Sequence, residues 1–342
     1  MLSNIIIDHK KLIFPQQKQI ALAPMAGITD KPMRQMARQF GATWTVGEML
    51  TSIPNLQNTR KSLQRRDHSG ENGIIVMQLA GSNPKQLAQA AQYNVEQGAQ
   101  VIDINMGCPA KKVCNVYAGS ALMQNEKLVA EILTAVVNAV NVPVTLKTRL
   151  GWDDEHQNVL NIAKIAEDTG IAALAIHGRT RTQMYRGVAT YDLIAEVKQH
   201  ISLPLWVNGD IDSPTKAATV LAQTGADGVM IGRAAQGQPW LFAQIADYLN
   251  TQTLPEPISF QAASQAVLQH LRAIYDFYGA HGVRVARKHI GYYLQALPNS
   301  QATRQAANVC NDVEQQFDLI RLFLEQRAQE QAFWGVSLIQ AA

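Results

Sequence analysis

Cysteine is scarce in this 342-residue sequence: Cys108, Cys114 and Cys310 are the whole complement. An odd count with no CxxC spacing points to neither a disulfide framework nor a metal site such as zinc. A reduced, cytoplasmic compartment is the expectation. Long apolar runs are missing too. Nothing approaches the roughly 18 uncharged apolar residues of a membrane span, and the first residues lack the pattern of a secretory signal. No GxGxxG turn follows an early strand, which argues against an open dinucleotide-binding sheet. Charge is modest, 17% of residues with a net +3. From Ala246 onward seven Lys/Arg stand against eight Asp/Glu, leaving 23 against 19 before that point. Any nucleic-acid surface is therefore a local patch, not a global field or a basic tail. With 47% apolar residues the composition is that of an ordinary globular protein, long enough for one large domain and a smaller one.

What is present is a repeat of short apolar runs and helix-like segments. The runs are Ile20–Ala23, Trp44–Val46, Ile74–Leu79, Val101–Asn105, Val142–Lys147, Ala172–His177, Leu203–Asn208 and Gly228–Ile231. Eight βα units in some 245 residues match a (β/α)8 TIM barrel, typically about 250 residues long. Helix starts are signalled by Thr29-Asp30 with Pro32 and by Ser82-Asn83-Pro84. A long helix is expected from Gly119-Ser120, whereas Thr51–His68 is polar and only faintly periodic. Prolines at 255 and 257 mark a linker. Beyond it, Phe260–Tyr278, Val283–Leu297 and Ala302–Gln326 read as three helices of a small all-α bundle. The division expected is 1–248 for the barrel, 249–258 for the linker, 259–327 for the helical domain and 328–342 for a tail.

A barrel collects the C-terminal ends of its strands on one face, where active sites form. The first strand ends in small apolar residues, Pro24-Met25-Ala26-Gly27, able to approach a flat ring. The third carries Gln78 near its tip; the fourth ends in Asn105 and Cys108; the fifth ends in Lys147 and Arg149. The sixth ends in His177, Arg179 and Arg181, the seventh in Asn208-Gly209-Asp210 and the eighth in Gly232-Arg233. Loops seven and eight are where barrels often bind phosphate. Ordinary turn chemistry explains either glycine loop taken singly. Cys108, extended by Pro109 and followed by Lys111 and Lys112, suits proton transfer, though a small buried hydrophobe is the alternative. Lys147 is either a stem-packed surface lysine or a fixed charge beside a developing anion. His177 is either a satisfied core histidine or a site group. Arginines and lysines after strands two, four and six, including Arg60, Lys61, Arg65, Arg66 and Arg186, converge on one rim as a footprint for a polyanion. Arg284, Arg287 and Lys288 share a helix face by spacing and offer a second contact.

With those residues in hand, the sequence resembles the tRNA-dihydrouridine synthase family, most of all its bacterial B subfamily. The resemblance is carried by APMAGITDKP (Ala23–Pro32), QLAGSNP (Gln78–Pro84), DINMGCPAKKV (Asp103–Val113) and AGSALM (Ala118–Met123). PVTLKTRLGW (Pro143–Trp152), IHGRTR (Ile176–Arg181), NGDI (Asn208–Ile211), GADGVMIGRAAQGQPW (Gly225–Trp240) and ARKHIGYYL (Ala286–Leu294) extend it. It spans about Ile20 to Glu325. Two departures are Gly47, where the pattern has Ser, and Thr148 with Leu150 around Arg149.

The resemblance implies a flavoenzyme that uses NADPH or NADH to reduce uridines of tRNA, in the D-loop, to 5,6-dihydrouridine. It implies FMN at Pro24, Met25, Ala26, Gln78, Lys147, Asn208, Gly209, Asp210, Gly232 and Arg233, and from its place at a strand tip His177 is expected to bind the cofactor with them. It makes Cys108 the general acid that protonates C5 while reduced FMN delivers hydride to C6. Contacts to tRNA are expected from Asn105, Lys111, Lys112, Arg179, Arg181, Arg284, Arg287 and Lys288, in a monomer without membrane or metal partners. One rival is a flavin barrel acting on a free pyrimidine, which leaves the basic rim and helical domain without work. Another is a tRNA-binding folding helper, which needs no pocket of convergent polar groups.

Overall fold

Side-chain alternation along the eight strands separates two apolar layers. In the computed structural model, which describes residues 5–335, the barrel strands are β1 (Gln19–Leu22), β2 (Trp44–Thr45), β3 (Val76–Ala80) and β4 (Val101–Asn105). They continue as β5 (Val144–Arg149), β6 (Ala173–His177), β7 (Leu205–Asn208) and β8 (Gly228–Ile231). Neighbours pair in parallel around the ring, and β8 pairs with β1. A bridge between Val46 and Val76 joins β2 to β3 and closes the barrel. Ile20, Leu22, Met77, Ile102, Leu146, Leu174, Val207 and Val229 point outward into the layer beneath the helices. Their neighbours one step along, such as Ala21, Val101, Ala175, Trp206 and Met230, point into the barrel. This is the period-two pattern of strands covered on both faces.

The barrel interior is plugged from below. An N-terminal hairpin, Ile6–Asp8 with Lys11–Ile13, turns through His9 at positive φ and brings Leu12 and Phe14 beneath the strands. Phe14 lies 4.6 Å from Trp206, which lies 5.1 Å from Trp44. Two indoles from β2 and β7 are balanced by alanines on β1 and β6, so the ring fills without a pore. The hairpin strands are three residues each, too short for alternation to announce them.

Helix starts follow side-chain chemistry. Asp30, Asn83 and Ser213 cap α1 (Lys31–Gln39), α3 (Pro84–Glu96) and α8 (Pro214–Thr224), each accepting from a backbone N–H two or three residues into the helix, with proline in the first turn. Between α1 and α3, the polar stretch yields only a short 3-10 turn and α2 (Arg60–Arg66). Strand two differs from expectation: it stops at Thr45, and its continuation, Leu50–Thr51, pairs with β3 separately. The intervening Gly47–Met49 swings Glu48 toward the first loop. The expected helix at Gly119 also differs, being a 3-10 turn, Gly119–Gln124, after the short α4 (Lys111–Cys114). The regular helix α5 (Glu126–Ala139) starts only where Asn125 caps it.

Three further helices, α6 (Val159–Asp168), α7 (Asp192–His200) and α9 (Leu241–Thr251), complete the outer ring. Beyond them α10 (Phe260–Tyr278), α11 (Gly282–Leu294), α12 (Gln301–Val309) and α13 (Val313–Ala328) share an apolar core. The single helix expected over Ala302–Gln326 is two, because Asp312 caps a new start by accepting from Gln315 N. Met36 of α1 and Trp240 join that core, so the bundle is packed on the barrel. Part of the tail is docked as well. Trp334 N donates to Ile258 O (3.1 Å), and the indole packs 5.2 Å from Phe260. Leu338 and Ile339 lie outside the described residues.

Two predictions concern stability. Trp206→Ala removes a fully buried indole from the plug and should cost about 3–5 kcal/mol, read by denaturant unfolding. Inside the bundle His270 is buried, with Nδ1 2.8 Å from the Tyr293 hydroxyl and its ring 4.9 Å from His289. Burial pushes the His270 imidazole down to about 3. A folded pKa below the free value means stability is complete above pH 6.5 and is lost as pH falls toward 3. Melting temperature should therefore drop as pH falls from about 6.5 to 5, and drop less in His270→Gln, which keeps a polar partner for Tyr293 but does not titrate.

Candidate active site

The strand ends open into one cavity of about 960 Å³. Its floor is polar. Asp103 on β4 is buried and accepts from Thr145 Oγ1 (2.6 Å) and Gln78 Nε2 (2.7 Å). Gln78 Oε1 accepts from Asn105 Nδ2 (2.8 Å). Burial pushes the Asp103 carboxyl up to about 6, against those two hydrogen bonds and the charge of Lys147. Lys147 on β5 donates to Asn208 Oδ1 (3.0 Å), and Asn208 is fixed in turn by donating to Met230 O (2.8 Å). Among the described residues this is the one hydrogen bond of the ammonium, which carries three donors. Burial, then Arg149, brings Lys147 down to about 8, so it remains mostly charged at neutral pH.

Cys108 sits on a pinned loop at the cavity wall. Its N–H and that of Gly107 donate to Asn105 Oδ1 (3.0 and 3.3 Å). Its carbonyl accepts from Ser120 N and Oγ (3.1 and 3.0 Å), and Arg149 Nε donates to Gly107 O (2.6 Å). Gly119 must be glycine here: its φ is +62°, and a Cβ would lie 2.7 Å from Cys108 O. Burial pushes the Cys108 thiol above its ordinary value, outweighing the Ala110 N–H and the nearby Arg149 and Lys147. The sulfur is therefore a protonated donor at neutral pH, not a standing thiolate.

The far end is built from loops six to eight. Arg179 is buried and makes a two-pronged ion pair with Asp210 (2.9 and 2.5 Å) while donating to Arg186 O and Gly187 O. Burial raises Asp210, but Arg179, the Ala189 N–H and Arg233 outweigh it and hold the carboxyl below its ordinary range. Arg233 reaches Asp210 at 3.2 Å with half its side chain exposed. Gly209 has φ +124°, and a Cβ there would stand 2.8 Å from that of Ala189. His177 is pushed well below 6.5 by burial and by Arg149, Lys147, Arg179 and Arg233, so its ring is neutral. Tyr185 covers this end, 4.9 Å from the Arg233 guanidinium and 6.4 Å from His177.

The first loop is clamped from two sides. Gly27 N donates to the buried Glu48 Oε1 (2.6 Å), and Lys288 of α11 donates to Gly27 O. Tyr278 of α10 donates to the Asp30 carboxylate (3.0 Å).

Of the residues expected at the site, Cys108, Pro24, Met25, Ala26, Gln78 and Asn105 line the cavity. So do Lys147, His177, Asn208, Gly209, Asp210, Gly232 and Arg233. The expected tRNA contacts divide. Lys111, Lys112 and Arg284 are exposed outside the cavity. Arg179 is not a rim cation: its guanidinium is consumed by Asp210 and two carbonyls. Arg181 lies on Trp152 at 4.4 Å. The helix-face trio is also broken up, since Arg287 donates to Cys310 O (2.9 Å) and Lys288 turns into the cavity. Arg66 likewise points inward, to Asn94 and Gln57.

The family model for dihydrouridine synthases matches residues 21–333. The chain belongs to the dihydrouridine synthase family. It is 55% identical to tRNA-dihydrouridine synthase B of Xanthomonas axonopodis pv. citri over 308 residues, covering 90% of this chain and 93% of that one. It is 52% identical to the protein of the same name from Shewanella oneidensis over 314 residues, 92% and 97% of the two chains. Among solved structures, the old yellow enzyme homologue from Zymomonas mobilis superposes with a TM-score of 0.50 at 14% identity, over 75% of this chain and 94% of that one. That likeness concerns the barrel fold. No helix among the described residues is long and apolar enough to cross a membrane, and no metal-binding cluster occurs among them.

Arg149, expected at the end of strand five two positions after Lys147 and hence on the same face of β5, also lines the cavity. Tyr185 and Tyr292 were not expected there, because loop six and a separate helix carry them in. Gly209→Ala should lower stability by roughly 1–3 kcal/mol, as positive φ and the Ala189 contact both oppose a side chain; the melting temperature reads it.

Proposed function

We propose that the protein reduces uridines in the D-loop of tRNA to 5,6-dihydrouridine, with FMN as its cofactor and NADPH as the reductant. The observation that carries this reading is the Cys108 thiol, kept protonated on a pinned loop and sharing one cavity with Lys147, Gln78 and Asn105. The donor set suits a flavin phosphate ester. Pro24, Met25 and Ala26 offer a small apolar wall for a flat ring. Gln78, Asn208 and His177 offer hydrogen-bonding edges, and Gly209, Asp210, Gly232 and Arg233 frame the phosphate end. When bound, FMN supplies the hydride that goes to C6 of the uracil.

The remaining chemistry belongs to the chain. Cys108 Sγ gives its proton to C5, the carbon left with the electron pair of the broken C5=C6 π bond once hydride adds to C6, and the sulfur is left as a thiolate. Lys147, with unused donors, sets a positive charge where electron density accumulates on the cofactor's ring. Asn105 and Arg149 face the space beside Cys108 and can orient the base. The target uridine has to leave its stack, at a cost of a few kcal/mol. Contacts to phosphate by Lys111, Lys112, Arg181 and Arg284, with the exposed Arg60, Lys61 and Arg186, offset it. The unit 259–327 serves as the tRNA-holding domain beside the 1–248 barrel, in a cytoplasmic monomer.

The test is Cys108→Ala. The purified variant should be yellow and should be bleached by NADPH, yet form dihydrouridine in tRNA transcript at least about 100-fold more slowly. Full turnover in that variant excludes Cys108 as the acid, and wild-type protein that stays colourless after reconstitution with FMN excludes the flavin. Because burial raises the thiol, the wild-type rate should hold across neutral pH and fall only at alkaline pH.

A further inference from the structure

We infer that Asp103 is a positioning residue that fixes the orientation of two amides, Gln78 and Asn105, and through them the backbone at Cys108. Hydrogen-bond direction sets the order. An ionised carboxylate can only accept, and a backbone N–H can only donate, whereas a side-chain amide can be turned either way. Asp103 therefore forces the Gln78 Nε2 toward itself and Oε1 away from it (2.7 Å contact). Gln78 Oε1 then demands the Nδ2 of Asn105 (2.8 Å), which leaves Asn105 Oδ1 to receive Cys108 N and Gly107 N (3.0 and 3.3 Å). Together these groups form a one-way relay from the barrel interior to the loop that holds the thiol. Thr145 anchors its lower end by donating to the other carboxylate oxygen (2.6 Å). The roles of Gln78 and Cys108 rest on the function proposed above; the direction of the relay does not.

Direction makes a sharp test possible. In Asn105→Asp, one oxygen of the new carboxylate still receives the two N–H groups, but the other faces Gln78 Oε1. Gln78 cannot resolve this by turning over, since its oxygen would then face the Asp103 carboxylate. Adding Asp103→Asn resolves it. The new amide at position 103 donates to the turned Gln78 oxygen, Gln78 donates to the new carboxylate at position 105, and Thr145 still has an oxygen to donate to. Asp103→Asn alone is tolerated, because the Thr145 hydroxyl can rotate to accept.

The measurement is the rate of Cys108 alkylation by iodoacetamide in the full-length protein as purified, mapped by peptide mass with Cys310 as internal reference, alongside the melting temperature. Releasing the loop uncovers the thiol, so Asn105→Asp should alkylate roughly tenfold faster and melt lower. Asp103→Asn should stay within about threefold of wild type, and the double variant should return to that range. The single Asn105→Asp variant and the double variant carry the same new carboxylate near Cys108, so the difference between them reads the relay. A double variant no better than Asn105→Asp in reactivity and melting temperature overturns the inference. Neither readout requires uridine reduction: colourless, inactive protein that shows the rescue would refute the proposed function and leave the relay standing.

Discussion

Asp103 and Lys147, opposite charges on neighbouring strands inside a closed barrel, are the constraint to which the rest of the site answers. Ions removed from water are costly unless paired and hydrogen-bonded. Here the cost is offset in layers. The carboxylate is satisfied by Thr145 and Gln78, and the ammonium is held by Asn208 with two donors left toward the cavity. Beneath them the plug of Trp44, Trp206 and Phe14 fills the barrel's lower half. Above them the cavity begins. The polar floor rests on that packed layer, and every amide in it has its orientation assigned by a neighbour that cannot turn.

The second organising feature is the loop after β1, where barrel and bundle meet. Gly27 is held by Glu48 through its N–H and by Lys288 through its carbonyl, and Asp30 receives Tyr278. Glu48 is available because strand two breaks at Gly47, and Arg65 steadies the carboxylate at 3.2 Å. Lys288 and Tyr278 belong to helices α11 and α10. The helical bundle therefore braces a wall of the cavity directly, and its packing on Met36 and Trp240 is continuous with that brace. A change in how the bundle sits would move Pro24–Gly27 before it moved any strand.

Much of this was legible in the sequence, for a physical reason. Strand ends in a parallel barrel all point one way, so reading off the residue after each apolar run collected Gln78, Cys108, Lys147, His177 and Asn208 without coordinates. The same reading collected Arg149, which period two places on the face of β5 that carries Lys147. What stayed hidden depended on long-range placement. Tyr185 and Lys288 reach the cavity from elements whose own patterns say nothing of it. The hairpin under the barrel was too short to show alternation. The break at Cys310–Asp312 was a capping decision inside a region of otherwise good helical spacing.

Charge counting was the least reliable guide, and the reason bears on how an acidic polymer could be held. Spacing placed many basic side chains near one rim, yet Arg66 and Arg179 turn inward and spend their guanidinium groups on carbonyls and Asp210, as Arg149 at the end of β5 spends its own on carbonyls. A planar fork with five donors is well suited to tying irregular loops together where backbone oxygens lack ladder partners. Loops four, six and seven are built on such arginines, and their rigidity keeps Cys108 and the Gly209 turn in place. The cations left at the surface are fewer and scattered: Lys111 and Lys112 beside the thiol loop, Arg60 and Lys61 on α2, Arg186 on loop six, and Arg284 on the bundle. They sit on four separate elements instead of forming one dense patch. A polyanion large enough to span several elements gains from that arrangement, whereas a short strand could reach only one or two.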